Sequence, residues 1–144
     1  MVAPEGTIDR VELRDDPEIK NESRLWRRIS PAFYQINPAT GRPRLSSAAF
    51  DDSKDRSPMS VVLADRHDAP QSAEIWIQRF PGYGVAELSA GSARMFDQGV
   101  AHTPTTEESA HGSVFGKKTK PVKSGLRDAA KLLISPDVPE HPKS

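Results

Sequence analysis

MSVVLADRHDAPQSAEIWIQRFPG, residues 59–82, places two hydrophobic periodicities end to end. Met59 to Ala64 is a short apolar run with adjacent valines, bounded before by the polar stretch Asp51 to Pro58 and after by Asp65 and Arg66. That length and β-branched content read as a buried strand. Asp68 then stands where an N-cap is expected and Pro70 in the first turn. Ala73, Trp76, Ile77 and Phe80 follow at i, i+3, i+4 and i+7, one face of an amphipathic helix. Pro81 and Gly82 stop it. A strand and a helix so close together, with strand signals on both sides, predict an α+β domain: a small, mostly antiparallel sheet packed with two amphipathic helices.

Upstream, Arg24 to Ile29 reads as a strand entering a turn, with Leu25, Trp26, Ile29, Phe33, Tyr34 and Ile36 as the first apolar cluster. Asn37 to Arg44 concentrates proline and glycine and is a loop. Leu45 to Phe50 is a short apolar element. Downstream, Ala86, Leu88 and Ala90 alternate along Val85 to Ala90, a strand expected to pack on the preceding helix. Two short strands fall around Gly99 to Thr103 and His111 to Phe115, joined by the polar loop Pro104 to Ser109. Thr119 caps a second helix with Pro121 in its first turn and Val122, Leu126, Ala129 and Leu133 on one face. Gly125 weakens that helix by about 1 kcal/mol relative to alanine. Residues 1–23 form an acidic tail able to dock in part, residues 24–134 one globular domain, and residues 135–144, with Pro136, Pro139 and Pro142, a proline-rich tail. Both ends are expected to be flexible.

A chain of 144 residues, 35% of them hydrophobic, suits one core rather than two. No apolar run approaches the roughly 18 residues of a membrane span, and Met1 to Arg14 lacks the basic start and apolar stretch of a secretory signal. With no cysteine, disulfides, thiolate nucleophiles and cysteine-rich metal sites are excluded, so a reducing cytoplasmic setting is expected. The formal charge is zero but segregated. Seven acids face three bases in 1–22 and again in 57–111, and seven bases face three acids in 24–56 and again in 112–144. The simplest expectation is mutual neutralisation in the fold.

Three constellations could carry chemistry. Arg24, Arg27 and Arg28, with Arg42, Arg44, Ser46 and Ser47, offer guanidinium forks and hydroxyls suited to phosphate or carboxylate. The plainer alternative is that the arginines answer Asp51, Asp52, Asp55 and the tail acids. His102 and His111, with Glu107 and Glu108 between them, could serve proton transfer, but their spacing matches no standard metal pattern and no metal is expected. GSVFGKKTK at 112–120 has the glycine, lysines and hydroxyl of a phosphate loop without its spacing. Anion or nucleic-acid contact through Lys117, Lys118, Lys120, Lys123, Arg127 and Lys131 needs only local positive charge, and a solvated basic helix face accounts equally for those residues.

The strings LWRRISP at 25–31, RLSSAAF at 44–50, MSV at 59–61 and AHGSVFGKKT at 110–119 resemble a pattern in small uncharacterised bacterial proteins. That resemblance covers most of the chain and implies a bacterial domain without specifying a substrate. A strand bearing Arg28 followed by Ser46 to Phe50 also looks like the opening of RES and ADP-ribosyltransferase domains, which process NAD. The glutamate such domains carry later would have to be Glu74 or Glu87, in a helix and a strand without the expected surroundings.

Three functional readings follow. The first is a non-catalytic interaction or accessory protein with a protein partner, no cofactor and no membrane association. The second is a nucleic-acid binder using the basic blocks 24–56 and 117–131, with Trp26, Phe33, Tyr34 or Phe115 as stacking surfaces. The third is a small enzyme on NAD or another phosphate ligand, with Arg28 holding phosphate and His102 or His111 moving protons. The third requires those groups to meet in one cleft. The oligomeric state is left open.

Overall fold

A computed structural model describes residues 13–138, so the expected tails over 1–12 and 139–144 lie outside the described residues. The chain forms strands β1 (Arg24–Ile29), β2 (Tyr34–Ile36), β3 (Pro43–Leu45), β4 (Met59–Leu63), β5 (Gly84–Ser89), β6 (Gly99–His102), β7 (His111–Phe115) and β8 (Lys131–Ile134). Helices α1 (Ala73–Ile77), α2 (Ala90–Met95) and α3 (Lys120–Ala129) complete it, with 3-10 turns at Pro31–Phe33 and Ser47–Phe50. Six strands make one antiparallel sheet in the order β6-β7-β4-β1-β5-β8, and β2 and β3 pair as a separate hairpin. The α+β reading therefore holds, and no helix among the described residues is long and apolar enough to cross a membrane.

Strand alternation divides the interior between the two faces of the sheet. One face carries Leu25, Ile29, Met59, Val61, Leu63, Ala86, Leu88, Val100 and Val114, covered by Phe50, by Ala93 of α2 and by Leu126 of α3. The other carries Trp26, Val62 and Val85 under Ala73 and Trp76 of α1. Trp76 stacks on Trp26 at 6.3 Å with 22° between the rings, and Phe80 meets Trp76 edge-on at 6.1 Å. Burying such apolar side chains stabilises by roughly 1.5–3 kcal/mol each, which dwarfs the helix propensity of a five-residue α1.

The helix expected around residues 68–80 is shorter than its periodicity implies. Ser72, not Asp68, caps it by accepting from the Ile75 N–H, while the Asp68 carboxylate turns back to Arg66. Phe80 follows in the turn. Ala86 and Leu88 face α2 and α3 across the sheet from α1, so β5 meets the first helix not through the expected alternating face but through Val85 on the opposite one. Ala90 does not extend β5; Ser89 caps α2 there, a helix the sequence reading missed. The second predicted helix is α3, capped by Thr119 as expected. It ends at Ala129, and Leu133 belongs to β8, an edge strand pairing with β5. Gly125 has a packing reason: a β-carbon there would collide with the Phe96 ring.

Residues before β1 pack on this frame. Asp16 N–H donates to the Val100 carbonyl at 2.8 Å, and the Asp15 carboxylate accepts from Val100 N–H at 2.8 Å and from Arg94 at 3.0 Å. Ile19 rests against the larger core.

Candidate functional site

The three arginines of β1 go three ways. Arg24 pairs with Asp65 at 2.7 Å at the strand's start. Arg27 lies on the Leu25 side, where pairing between β1 and β4 ends after Trp26 and Val62. Its guanidinium fills the splay, donating to the Ala49 carbonyl at 3.0 Å and the Ser60 carbonyl at 2.8 Å in place of ladder bonds. Burial, with the neighbouring Arg28 charge, pushes Arg27 down to about 10, so it remains charged at neutral pH. Arg28 points to the opposite face and stacks over Phe80 at 3.9 Å, with Tyr83 at 5.5 Å. Among the described residues no carboxylate pairs with it within ion-pair distance.

Arg28 stands at the rim of a cleft of about 200 Å³ between β1, β4, α1 and the loop before β7. Trp76 and Phe80 wall one side; Ser60, His111 and Glu108 stand on the others. The loop is pinned over the cleft by Arg79, which meets Glu108 at 3.4 Å and donates to the Glu107 carbonyl at 3.2 Å. Glu108 also accepts from the Ala110 N–H at 3.2 Å. Its charge is thereby engaged in shaping the loop.

His111 enters this cleft, as the third reading requires, and His102 does not. Register decides the outcome: His102 opposes Gly112, so His111 opposes Thr103, and neighbouring positions along a strand project to opposite faces. His111 Nδ1 sits 2.7 Å from the Thr103 carbonyl oxygen and so carries the proton it donates. The ring orientation is thereby fixed, and Nε2 is the nitrogen left for another partner. His102 Nε2 bonds the Ser109 carbonyl at 2.8 Å and lines a separate depression with Arg24 and Asp65. There, burial raises the Asp65 carboxyl but the Arg24 hydrogen bonds and charge outweigh it, holding Asp65 below the usual range. Asp68 is lowered further, to about 2, by the Arg66 side chain.

Arg44, Ser46 and Ser47 are brought together in another place, a notch of about 160 Å³ that Arg127 of α3 completes. Lys117 is exposed. Lys118 is not a surface ligand: its side chain is 1% exposed and its ammonium meets Asp52 at 2.7 Å and the Val114 carbonyl at 2.9 Å. Lys123 pairs with Asp51 at 3.2 Å and Arg127 with Asp128 at 3.0 Å. Asp51 and Asp52, acids inside the first basic block, hold lysines of the second, while Arg127 pairs within its own block. Among the described residues no three metal-ligating side chains converge.

Sequence reasoning found Arg28 and His111 but missed Trp76, Phe80 and Arg79 as their neighbours. The available signal was the aromatic spacing of α1, read there as core alone. Compared with family models, with curated proteins and with solved structures, the chain matches none of them.

Proposed function

We propose that this chain is a non-catalytic interaction protein, and that the cleft at Arg28 receives an acidic side chain or terminal carboxylate of a protein partner. The observation that carries this is the Arg28 guanidinium: 3.9 Å over the Phe80 ring, exposed, and without a carboxylate among the described residues. A planar fork held by an aromatic ring is arranged for a bidentate anion contact before any partner arrives. The Trp76 and Phe80 wall would cover the apolar part of the same side chain.

The cleft itself holds about 200 Å³, room for one side chain, and shares Arg79, Glu107 and Glu108 with an adjoining open depression of about 440 Å³. The engagement of Lys118 and Lys123 with carboxylates weakens the nucleic-acid reading. A chain with no cysteine supports our assignment to the cytoplasm.

Peptide display against the full chain and against Arg28→Gln tests the proposal. Peptides selected by the parent chain should carry Asp, Glu or a free carboxyl terminus beside an aromatic residue. They should bind Arg28→Gln about tenfold more weakly, the loss of one charge-assisted contact. Selected peptides without an acidic group, or with equal affinity for both proteins, would refute it.

A further inference from the structure

We infer that a second site, built from Arg44, Arg127, Ser46 and Ser47, takes a single phosphate monoester. The notch lies apart from the Arg28 cleft and shares no lining residue with it. Two stretches distant in sequence meet there: residues 44–47, where β3 supplies Arg44 and the turn after it Ser46 and Ser47, and α3, which supplies Arg127. Packing of Phe50 and Leu126 into one core cluster sets their approach.

The donors are available. Arg44 is exposed and, among the described residues, pairs with no carboxylate. Ser46 Oγ accepts from the Ala48 N–H at 3.2 Å, which orients the hydroxyl and leaves its proton to donate. Ser47 Oγ makes no side-chain bond among the described residues. Arg127 uses Nε on Asp128 at 3.0 Å, and its two terminal nitrogens remain. Among the described residues Asp128 is the one carboxylate paired with either arginine, and its side chain is 70% exposed, free to turn into water.

Two guanidinium forks and two hydroxyls exceed what a planar carboxylate with two oxygens can use. They match the three terminal oxygens and double charge of a phosphate monoester. A nucleic-acid backbone would instead need a track of cations neutralising successive phosphates. Lys118 and Lys123, which could have extended such a track, are held by Asp52 and Asp51.

The test uses the full chain, isotope-labelled, titrated at constant ionic strength with inorganic phosphate, adenosine 5′-monophosphate and O-phosphoserine. Saturable shifts confined to the Ser46 and Ser47 amides and the Arg44 and Arg127 Nε–H signals are expected for all three. The tightest of the three identifies the source of the phosphoryl group. Arg44→Gln, on an exposed side chain, should weaken binding about tenfold, one charge-assisted contact. Ser47→Ala should weaken it less. Arg28→Gln should leave it unchanged, which separates this site from the proposed partner cleft. The inference is overturned by non-saturable shifts at tens of millimolar or by equal shifts at Lys117, Lys120 and Lys131. It is also overturned if a single-stranded oligonucleotide displaces all three probes with a steep salt dependence.

Discussion

Replacing Lys118 with methionine keeps the aliphatic stem and removes only the ammonium. That group is nearly sealed, with 1% of the side chain exposed, and it ties the Asp52 carboxylate at 2.7 Å to the Val114 carbonyl at 2.9 Å. Deleting one partner of a buried ion pair costs about 3–5 kcal/mol because the other charge is left uncompensated. Here the lower end applies: the Asp52 side chain is 33% exposed, so water can take over part of its charge, and it keeps the bond from Met59 N–H at 3.1 Å. The expected cost of Lys118→Met is therefore about 3 kcal/mol, a fall in Tm of roughly 10 °C for a domain of this size. Urea titration followed by tryptophan fluorescence measures it, with an unchanged m-value showing that the loss is in stability rather than compactness. Asp52→Asn in the same background should then cost little more, since the two groups act through one contact. A loss under about 1 kcal/mol for Lys118→Met would mean an exposed, weakly paired ammonium, and the buried position described for Lys118 would be wrong.

Trp76→Ala should destabilise by about 3–5 kcal/mol, from the cavity left over Trp26. It should also abolish the near-ultraviolet dichroism of the stacked indoles, a signal whose persistence would contradict the pairing at 6.3 Å. Gly125→Ala gains about 1 kcal/mol of helix propensity but drives a methyl into Phe96, an overpacking cost of roughly 1–3 kcal/mol. A net loss is expected in the parent chain and a net gain in a Phe96→Leu background; a gain in both would show that the ring swings away freely. Asp65 and Asp68 are both lowered in the folded state, Asp68 to about 2. Their contribution is complete above the unfolded value near 4 and is lost as pH falls through the folded one. Acid titration of the urea midpoint should therefore show a decline between about pH 4 and pH 2, flattened in Asp68→Asn and unaltered by it if the Arg66 contact is absent.

Much of the fold was legible because local signals agreed with the tertiary outcome. Adjacent valines marked β4, and Thr119 with Pro121 marked the start of α3. Where they failed, long-range packing had decided. Leu133 continues the α3 stripe in sequence, yet the chain leaves the helix at Ala130 because β5 offers an edge for β8. Ser89 and Ala90 read equally as the end of an alternating strand or as a cap and first helical residue, and Ala90 is buried in either case. The candidate site was half visible. Arg28 and His111 could be nominated by residue type, but whether two histidines share a face depends on strand register, which no single strand encodes. Arg79 and Phe80 joined them only through the docking of α1, and Lys118 left the surface because Asp52 lies close enough to hold it.

The contacts of Asp15 and Asp16 with Val100 have a bearing on self-association. An unpaired outer strand presents a row of donors and acceptors on which another polypeptide can template itself. In β6 the Val100 amide and carbonyl are both occupied by this short segment, reinforced by Arg94. Shortened versions of the chain beginning after Asp16 would uncover that row and should aggregate more readily than the 144-residue chain.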